Sequence, residues 1–559
     1  MAYDPTSLTQ YFSVAIYLTG FTWRISDRNL MLTDGTEIEG LIMDMSPLSR
    51  SAGSLQDPRV ILPSLTLTVD NKADPQSGDR AQDHLVNYEF ANSLTVLSVG
   101  SSLDPADWQD EFDGRVRFPG GTSSDNLTLT IRVNDARAKD GRSLPSAVFD
   151  TDTYPNMEAK SEGLPVPIVY GSWLSTDAAG EELPCYQTDD TVGTGGRFTV
   201  SSRELKQIQY VYKDDGTTKT SVSFTGDLNN GRFTLNVAYD PTLHTITCHC
   251  QGATDDGTSA GTLLQSAPDV LADLLENEMD VDPANIDSTA FSAWEAELDS
   301  DDYVRRWIGG TIVHTDTLTS ELLSECFAGM RIEDGAYYPS YRIVNPASSL
   351  TTFREAELLS RSGNSAVKQF AVHDSPDEIY CNEGAATYGL DPTTGAYSGL
   401  YTYSDAAAIA RVGQRVRRNM TFNWLYTAAG IQARVQLEVF AFSSNIAIVD
   451  LGLDASALTY GPASQLRLAY DRFEEDADGD GVPMGVLNIN TDYMRRQVTA
   501  QVWDMTALMS GTWTEDAAVT WLTGTATQRT TKGFWTDDSG YADTSGSPDA
   551  TSQRYRYAA

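Results

Sequence analysis

The sequence predicts a mainly β, multi-domain protein of barrel or sandwich type, with one small α/β module. Period-two runs rich in Val, Ile, Leu and Thr, bounded by Gly, Asp, Asn and Pro, recur along most of the chain. A 3.6-residue period replaces them in one stretch, about residues 262–345. The 559 residues correspond to roughly three to five domains.

Between Phe12 and about Asp135 the runs SVAIYLTGF, IEGLIMDM, PSLTLTVDN, SLTVLSVG, GRVRFPG and NLTLTIRVND read as antiparallel strands, giving a β domain over 1–160. The segment that follows reads as a domain joint. Pro165 and Pro167 force extended backbone on their neighbours and remove donors, and Gly171 ends the segment. Strands return over 161–261 in IQYVYKDDG, SVSFTGDLNNG, RFTLNVAYD and HTITCHC, separated by Asp-Gly and Asn-Gly turns that suit tight hairpins.

The α/β module is expected over 262–345. Ser266 and Asp269 stand at capping-box spacing ahead of an apolar face of Val270, Leu271, Leu274 and Leu275. A second helix, capped by Asp287 or Ser288, presents Phe291, Trp294 and Leu298. A third carries Leu318, Leu322, Leu323, Cys326 and Phe327, with Gly329 expected at C′. Met330 to Tyr341 then reads as a hairpin turned at Asp334-Gly335. A second β domain with helices is expected over 346–500. It includes a short helix in SDAAAIARVGQRVRR and a helix or strand through IQARVQLEVFAF, and a Trp-rich β segment follows over 501–559.

Composition narrows the function. The formal charge is −39 and the sequence pI is near 4.3. Affinity for nucleic-acid backbones needs clustered Lys and Arg, so sequence-specific DNA binding is excluded as a first reading. Only eight basic residues are lysines. An Asp-rich, Lys-poor surface also fits a protein kept soluble in salty water, where self-repulsion is screened. No run reaches the ~18 apolar residues of a membrane span, and the N-terminal segment lacks a signal-peptide pattern, so synthesis in the cytoplasm is expected. Five scattered cysteines do not form a disulfide framework.

Four stretches carry a resemblance. Arg142-Ser-Leu-Pro leads to Glu162-Gly-Leu-Pro-Val-Pro-Ile-Val-Tyr-Gly171. Ala267-Pro-Asp-Val-Leu-Ala-Asp-Leu-Leu is followed by Ile286-Asp, Phe291-Ser-Ala-Trp294, Leu322-Leu323 and Gly329-Met-Arg-Ile-Glu-Asp-Gly335. Asp405, Ile409 and Gly413-Gln-Arg form the third, and Gly452-Leu453 with the Gly461 loop the fourth. In this order they resemble the central tail-tip or baseplate-hub proteins of tailed bacteriophages, the superfamily of the lambdoid host-specificity protein and the contractile-tail hub. Ala and Val replace the family's Ser and Tyr in the third, and Gly461-Pro462 departs from its usual Gly-Asp.

The resemblance implies tube-like β-domains of hub type and a homotrimer forming a pseudo-sixfold ring at the distal end of the tail tube. It implies a virion protein that closes the channel, carries fibres or receptor-binding proteins, contacts tube and tape-measure proteins, and opens for DNA ejection. It implies no active site. Pro165, Pro167, Gly171, Leu271, Leu274, Leu275, Phe291 and Trp294 then have architectural roles. Acidic walls would repel DNA phosphates during passage.

Other motifs compete. Gly257-Thr-Ser259-Ala-Gly261 matches the nucleophile-elbow pattern but follows a polar turn rather than a buried strand, so a loop is expected. Asp476, Asp478 and Asp480 occupy positions 1, 3 and 5 of an EF-hand-like loop and are the candidate calcium ligands, with Leu487 where a bidentate Glu belongs. No other cofactor is expected. His244, Cys248, His249 and Cys250 form a soft-ligand cluster, yet a strand would turn His249 away from both cysteines. Glu181-Glu182 and Asp189-Asp190 are carboxylate pairs of the kind glycosidases use. Trp503, Trp513, Trp521 and Trp535 are either core aromatics or a sugar-stacking face. A carbohydrate-binding or polysaccharide-degrading tail protein is therefore the alternative, and a bacterial contractile-injection component shares the hub architecture.

Overall fold

The computed structural model of the protein describes residues 11–53, 58–61, 63–72, 80–122, 127–135, 142–176, 181–296, 298, 302–333, 336–341, 352–354, 367–373, 379–443, 446–453, 464–469, 481–495 and 497–505, with short strands at 512–513, 532–535 and 555–556. The protein is mainly β and built from several sheets.

The first sheet has nine strands in the order Leu30–Met31, Glu37–Gly40, Phe21–Ser26, Tyr11–Leu18, Leu94–Gly100, Trp108–Thr122, Thr128–Asp135, Ser64–Asp70 and Ile42–Met45. Side-chain alternation builds its core. Leu65, Leu67 and Val69 are buried and alternate with Ser64, Thr66, Thr68 and Asp70. They pack with Val14, Ile16, Trp23, Ile25 and Leu97.

Two facing sheets follow. One joins Ser172–Trp173, Leu183–Pro184, Gln207–Asp214, Lys219–Val222 and Thr245–Gln251; the other joins Tyr186–Asp189, Arg197–Thr199, Phe224–Asp227 and Arg232–Leu235. Their shared core holds Trp173, Leu183, Val211, Cys248 and the stacked pair Phe198 and Phe233, 5.5 Å between centroids.

Several of the helices begin where a side chain caps them. Ser266 Oγ accepts from the Asp269 amide, starting Ala267–Asp273, which runs on as a π turn over Leu274–Glu278. The Asp287 carboxylate accepts from the Ala290 amide at 2.6 Å, starting Ser288–Glu295. The third helix, Thr315–Glu325, ends differently from the reading that placed Gly329 at C′. Cys326 is the C-cap and Phe327 takes the left-handed position with φ +52°, while Gly329 already lies in the strand Ala328–Glu333. Phe327 is buried against Phe442 and beneath the Arg434 guanidinium, 4.6 Å from the ring centroid. This packing holds a non-glycine residue in a conformation that costs about 1–2 kcal/mol. Ala328–Glu333 pairs antiparallel with Ala336–Tyr341, and the expected turn at 334–335 lies outside the described residues.

IQARVQLEVFAF resolves to helix: Ala428–Phe442 is capped by Thr427, and Ile431, Val435, Val439 and Phe442 are fully buried along it. SDAAAIARVGQRVRR is helical only over Ala406–Val412. Gly413 at φ +78° ends the helix, and Arg417–Thr421 is a strand parallel to Glu383–Leu390. The helical core takes in both regions, joining Leu271, Leu274, Phe291, Trp294 and Leu322 to Phe422, Trp424, Ile431 and Val435.

The last large sheet has the strand order Thr352–Arg354, Gln465–Ala469, Val482–Asp492, Gln497–Asp504, Ile446–Leu453 and Val367–His373. It also takes a strand from the N-terminal region. Leu48–Gly53 pairs antiparallel with Val482–Asp492, in the register Leu48 to Thr491 and Ser51 to Asn488. Tyr493 in turn packs into the core of the first sheet.

Candidate functional site

The structure concentrates its buried charge at junctions between these units. At the first, Tyr170 ends the strand Ile168–Tyr170, which pairs with Arg306–Ile308; one residue later Ser172–Trp173 pairs with Thr245–Gln251. Gly171 is where the chain changes sheets. Its φ is +73°, and a Cβ there would stand 2.5 Å from Arg305 Cβ and closer still to the Val304 carbonyl oxygen. Pro167 lies beside it, its carbonyl accepting from the Ser202 amide at 2.6 Å, and Pro165 bridges Val148.

Tyr170 Oη donates to Asp273 Oδ2 at 2.6 Å. Arg203, reaching from the sandwich, grips the same carboxylate with both terminal nitrogens, and Asn277 donates to Asp273 Oδ1 at 2.9 Å. Burial and then the Asp273 charge push the Tyr170 phenol well above its ordinary range, so it remains a donor. Arg142 fastens the incoming chain. Its backbone exchanges hydrogen bonds with Thr315, and its guanidinium reaches the Glu278 carbonyl and Asp280.

A second junction surrounds Arg305. Its guanidinium lies between the rings of Trp173 and Tyr426, 4.3 and 4.4 Å from their centroids, and pairs with Glu181. At the third, the Glu325 carboxylate accepts the backbone amides of Asn423, Trp424 and Leu425 at 2.7, 2.8 and 2.9 Å. Burial pushes Glu325 up to about 7, against the downward pull of those amides and of Arg306. Glu438 lies between Arg418 and Arg434. Its burial is outweighed by the two guanidinium groups, which hold it below the usual carboxylate value.

These junctions neutralise each buried carboxylate with arginine or backbone amides. Such an arrangement satisfies the charge buried where the units meet, and removing one partner leaves the other uncompensated. Asp273 and Tyr170 were inside segments singled out by sequence. Glu325 and Glu438 also lie in such segments, whereas Arg203 and Arg305 do not; neither carboxylate stood out as a residue, because in a chain with 78 acidic residues a carboxylate carries no signal until its burial is known.

The other predicted residues fall as follows. Leu271, Leu274 and Leu275 are 0% exposed, and Phe291 and Trp294 are buried beside them. Ser259 lies in a loop closed by the bridge between Thr254 and Leu263, with no strand leading directly into it. Cys248 and Cys250 face the sandwich core, Cys185 Sγ donates to the Leu183 carbonyl at 3.6 Å, and His249 turns to the opposite face, its Nδ1 3.1 Å from the Trp173 carbonyl. His244 is half-buried just before the strand. Among the described residues no group of three or more His, Cys, Asp or Glu is placed to hold a metal ion. Asp476, Asp478 and Asp480 lie outside the described residues.

Glu182 pairs with Lys219 and Thr247, and Asp189 caps the turn at Thr191. Trp503 is buried in the last sheet. Trp513 and Trp535 lie on short strands, and Trp521 is outside the described residues. Among the described residues no helix is long and apolar enough to cross a membrane.

No family model matches the chain, and no curated protein matches it. Among solved structures it is similar to a tail protein from Neisseria meningitidis MC58, with TM-score 0.39 and 6% identity over 89% of this chain and 98% of that one. It is similar to the 43 kDa tail protein of prophage MuSo2 from Shewanella oneidensis, with TM-score 0.40 and 10% identity over 89% and 99%. A third is prophage tail protein gp18 from Listeria monocytogenes EGD-e, with TM-score 0.34 and 10% identity over 89% and 97%.

Proposed function

We propose that the chain is a structural component of a bacteriophage tail, the hub at the distal end of the tail tube, and that copies of it, three in number, close a ring around the channel. The observation that carries this reading is the pairing of Leu48–Gly53 with Val482–Asp492. Leu48–Gly53 belongs to the last large sheet although Ile42–Met45 before it and Ser64–Asp70 after it lie in the first, so the chain ties the two sheets together, as a hub needs if each copy contributes two tube-like units to a pseudo-sixfold ring. The resemblance adds support, because two of the segments that carry it, 103 residues apart, interlock through Tyr170 and Asp273.

The mechanism is mechanical. Modules locked by Arg203, Arg305 and Glu325 move as units, and a signal from fibres or receptor-binding proteins on the outside becomes an opening of the ring. Tube and tape-measure proteins are the partners above it, and DNA passes without being held, since a chain of charge −39 repels phosphate.

Quantitative mass spectrometry of purified virions tests the reading. The chain should be present at a few copies per particle, far below the tube protein. Its absence from particles, or turnover of a host polysaccharide by the isolated chain, would overturn it.

A further inference from the structure

The longest acid-free stretch of the chain runs from 406 to 437, between Asp405 and Glu438, and it contains Arg411, Arg415, Arg417, Arg418 and Arg434. Elsewhere acidic residues outnumber basic ones about two to one. Arg418 and Arg434 turn inward to Glu438. The other three stay at the surface, where the helix Ala406–Val412 ends and the strand Arg417–Thr421 begins, with Val412 exposed among them.

Arg415 and Arg417 share one carboxylate, Glu383, at 2.8 and 3.8 Å. The carboxylate is buried, 8% exposed, whereas the two arginine side chains are 69% and 45% exposed. One negative charge inside therefore faces two positive charges outside, and the surplus points to solvent. Arg417–Thr421 is the edge of its three-stranded sheet, with Arg417, Asn419 and Thr421 exposed.

We propose that this strip, Arg411 to Arg417, is a contact surface for the acidic face of a second copy of this chain. The inference rests on the ring reading above. Copies that each carry −39 repel one another, so a head-to-tail ring needs a local reversal of sign at the contact. The strip supplies it, and the neighbouring copy, with 78 acidic against 39 basic residues, supplies the opposite charge.

Sedimentation velocity of the full chain across protein concentration, at about 50 mM and about 500 mM NaCl, tests the proposal. Self-association should weaken with salt, because exposed ion pairs are screened beyond about 10 Å at 0.1 M. Arg417→Gln, which leaves Arg415 at 2.8 Å from the buried Glu383 carboxylate, should weaken it several-fold at low salt while leaving the melting temperature within a few degrees of wild type. The proposal is overturned by association that is unchanged in the variant or strengthened by salt, or by its absence from the wild-type chain at low salt. It is also overturned if the strip instead binds a fluorescent duplex DNA in an arginine-dependent way. Virion mass spectrometry judges the hub reading separately: a chain found in particles with an indifferent strip leaves the hub and removes only this contact.

Discussion

Tyr170 donates a 2.6 Å hydrogen bond to Asp273 across the joint between the β-sandwich and the first helix of the helical core. Arg203 closes the other side of the same carboxylate. Asp273→Ala leaves the Arg203 guanidinium buried without its main partner and should cost about 3–5 kcal/mol. Tyr170→Phe removes one donor from a carboxylate that keeps two others and should cost about 1–2 kcal/mol. Denaturant unfolding of both single variants and the double variant checks this, with the double variant costing less than the sum.

Gly171→Ala should destabilise the same joint from the backbone side. A left-handed φ costs a non-glycine residue about 1–2 kcal/mol, and the Val304 carbonyl and Arg305 leave no room for the methyl group. The expected outcome is a loss of about 3 kcal/mol or more, read as a drop in soluble yield and melting temperature.

Phe327 gives an opposite ordering of small substitutions. Phe327→Ala should cost about 3–5 kcal/mol, because the side chain is buried against Phe442 and Arg434. Phe327→Gly loses the same contacts but relaxes the φ of +52°, so it should be about 1 kcal/mol more stable than the alanine variant. Paired unfolding curves decide it.

The Glu325 carboxyl sets a pH dependence. Its value is raised from 4.5 to about 7 in the folded protein, so between these values the folded state binds more protons than the unfolded one. Its contribution is fully present below about pH 4.5 and is lost as pH rises through about 7, a change of about 3 kcal/mol. Glu325→Gln should flatten the stability profile between pH 5 and 8, measured by melting temperature against pH.

The local grammar of the chain was readable in the sequence. Ser266 and Asp287 mark helix starts by the chemistry of their side chains, and Leu271, Leu274, Phe291 and Trp294 by spacing. The exceptions have physical causes. Phe327 takes a glycine's place because tertiary packing against Phe442 outweighs local strain. The strand Leu48–Gly53 reads weakly because its partner lies more than 400 residues away, and periodicity does not report long-range pairing. The junction carboxylates were hidden by their abundance, and only burial separates Asp273 and Glu325 from the solvated majority.

The most direct test of the hub reading is immunogold electron microscopy of intact virions with antibody against the sandwich, residues 165–251. Label confined to the end of the tail distal to the capsid is the predicted result. Label on the capsid or along the tube, or particles that carry none, would contradict it.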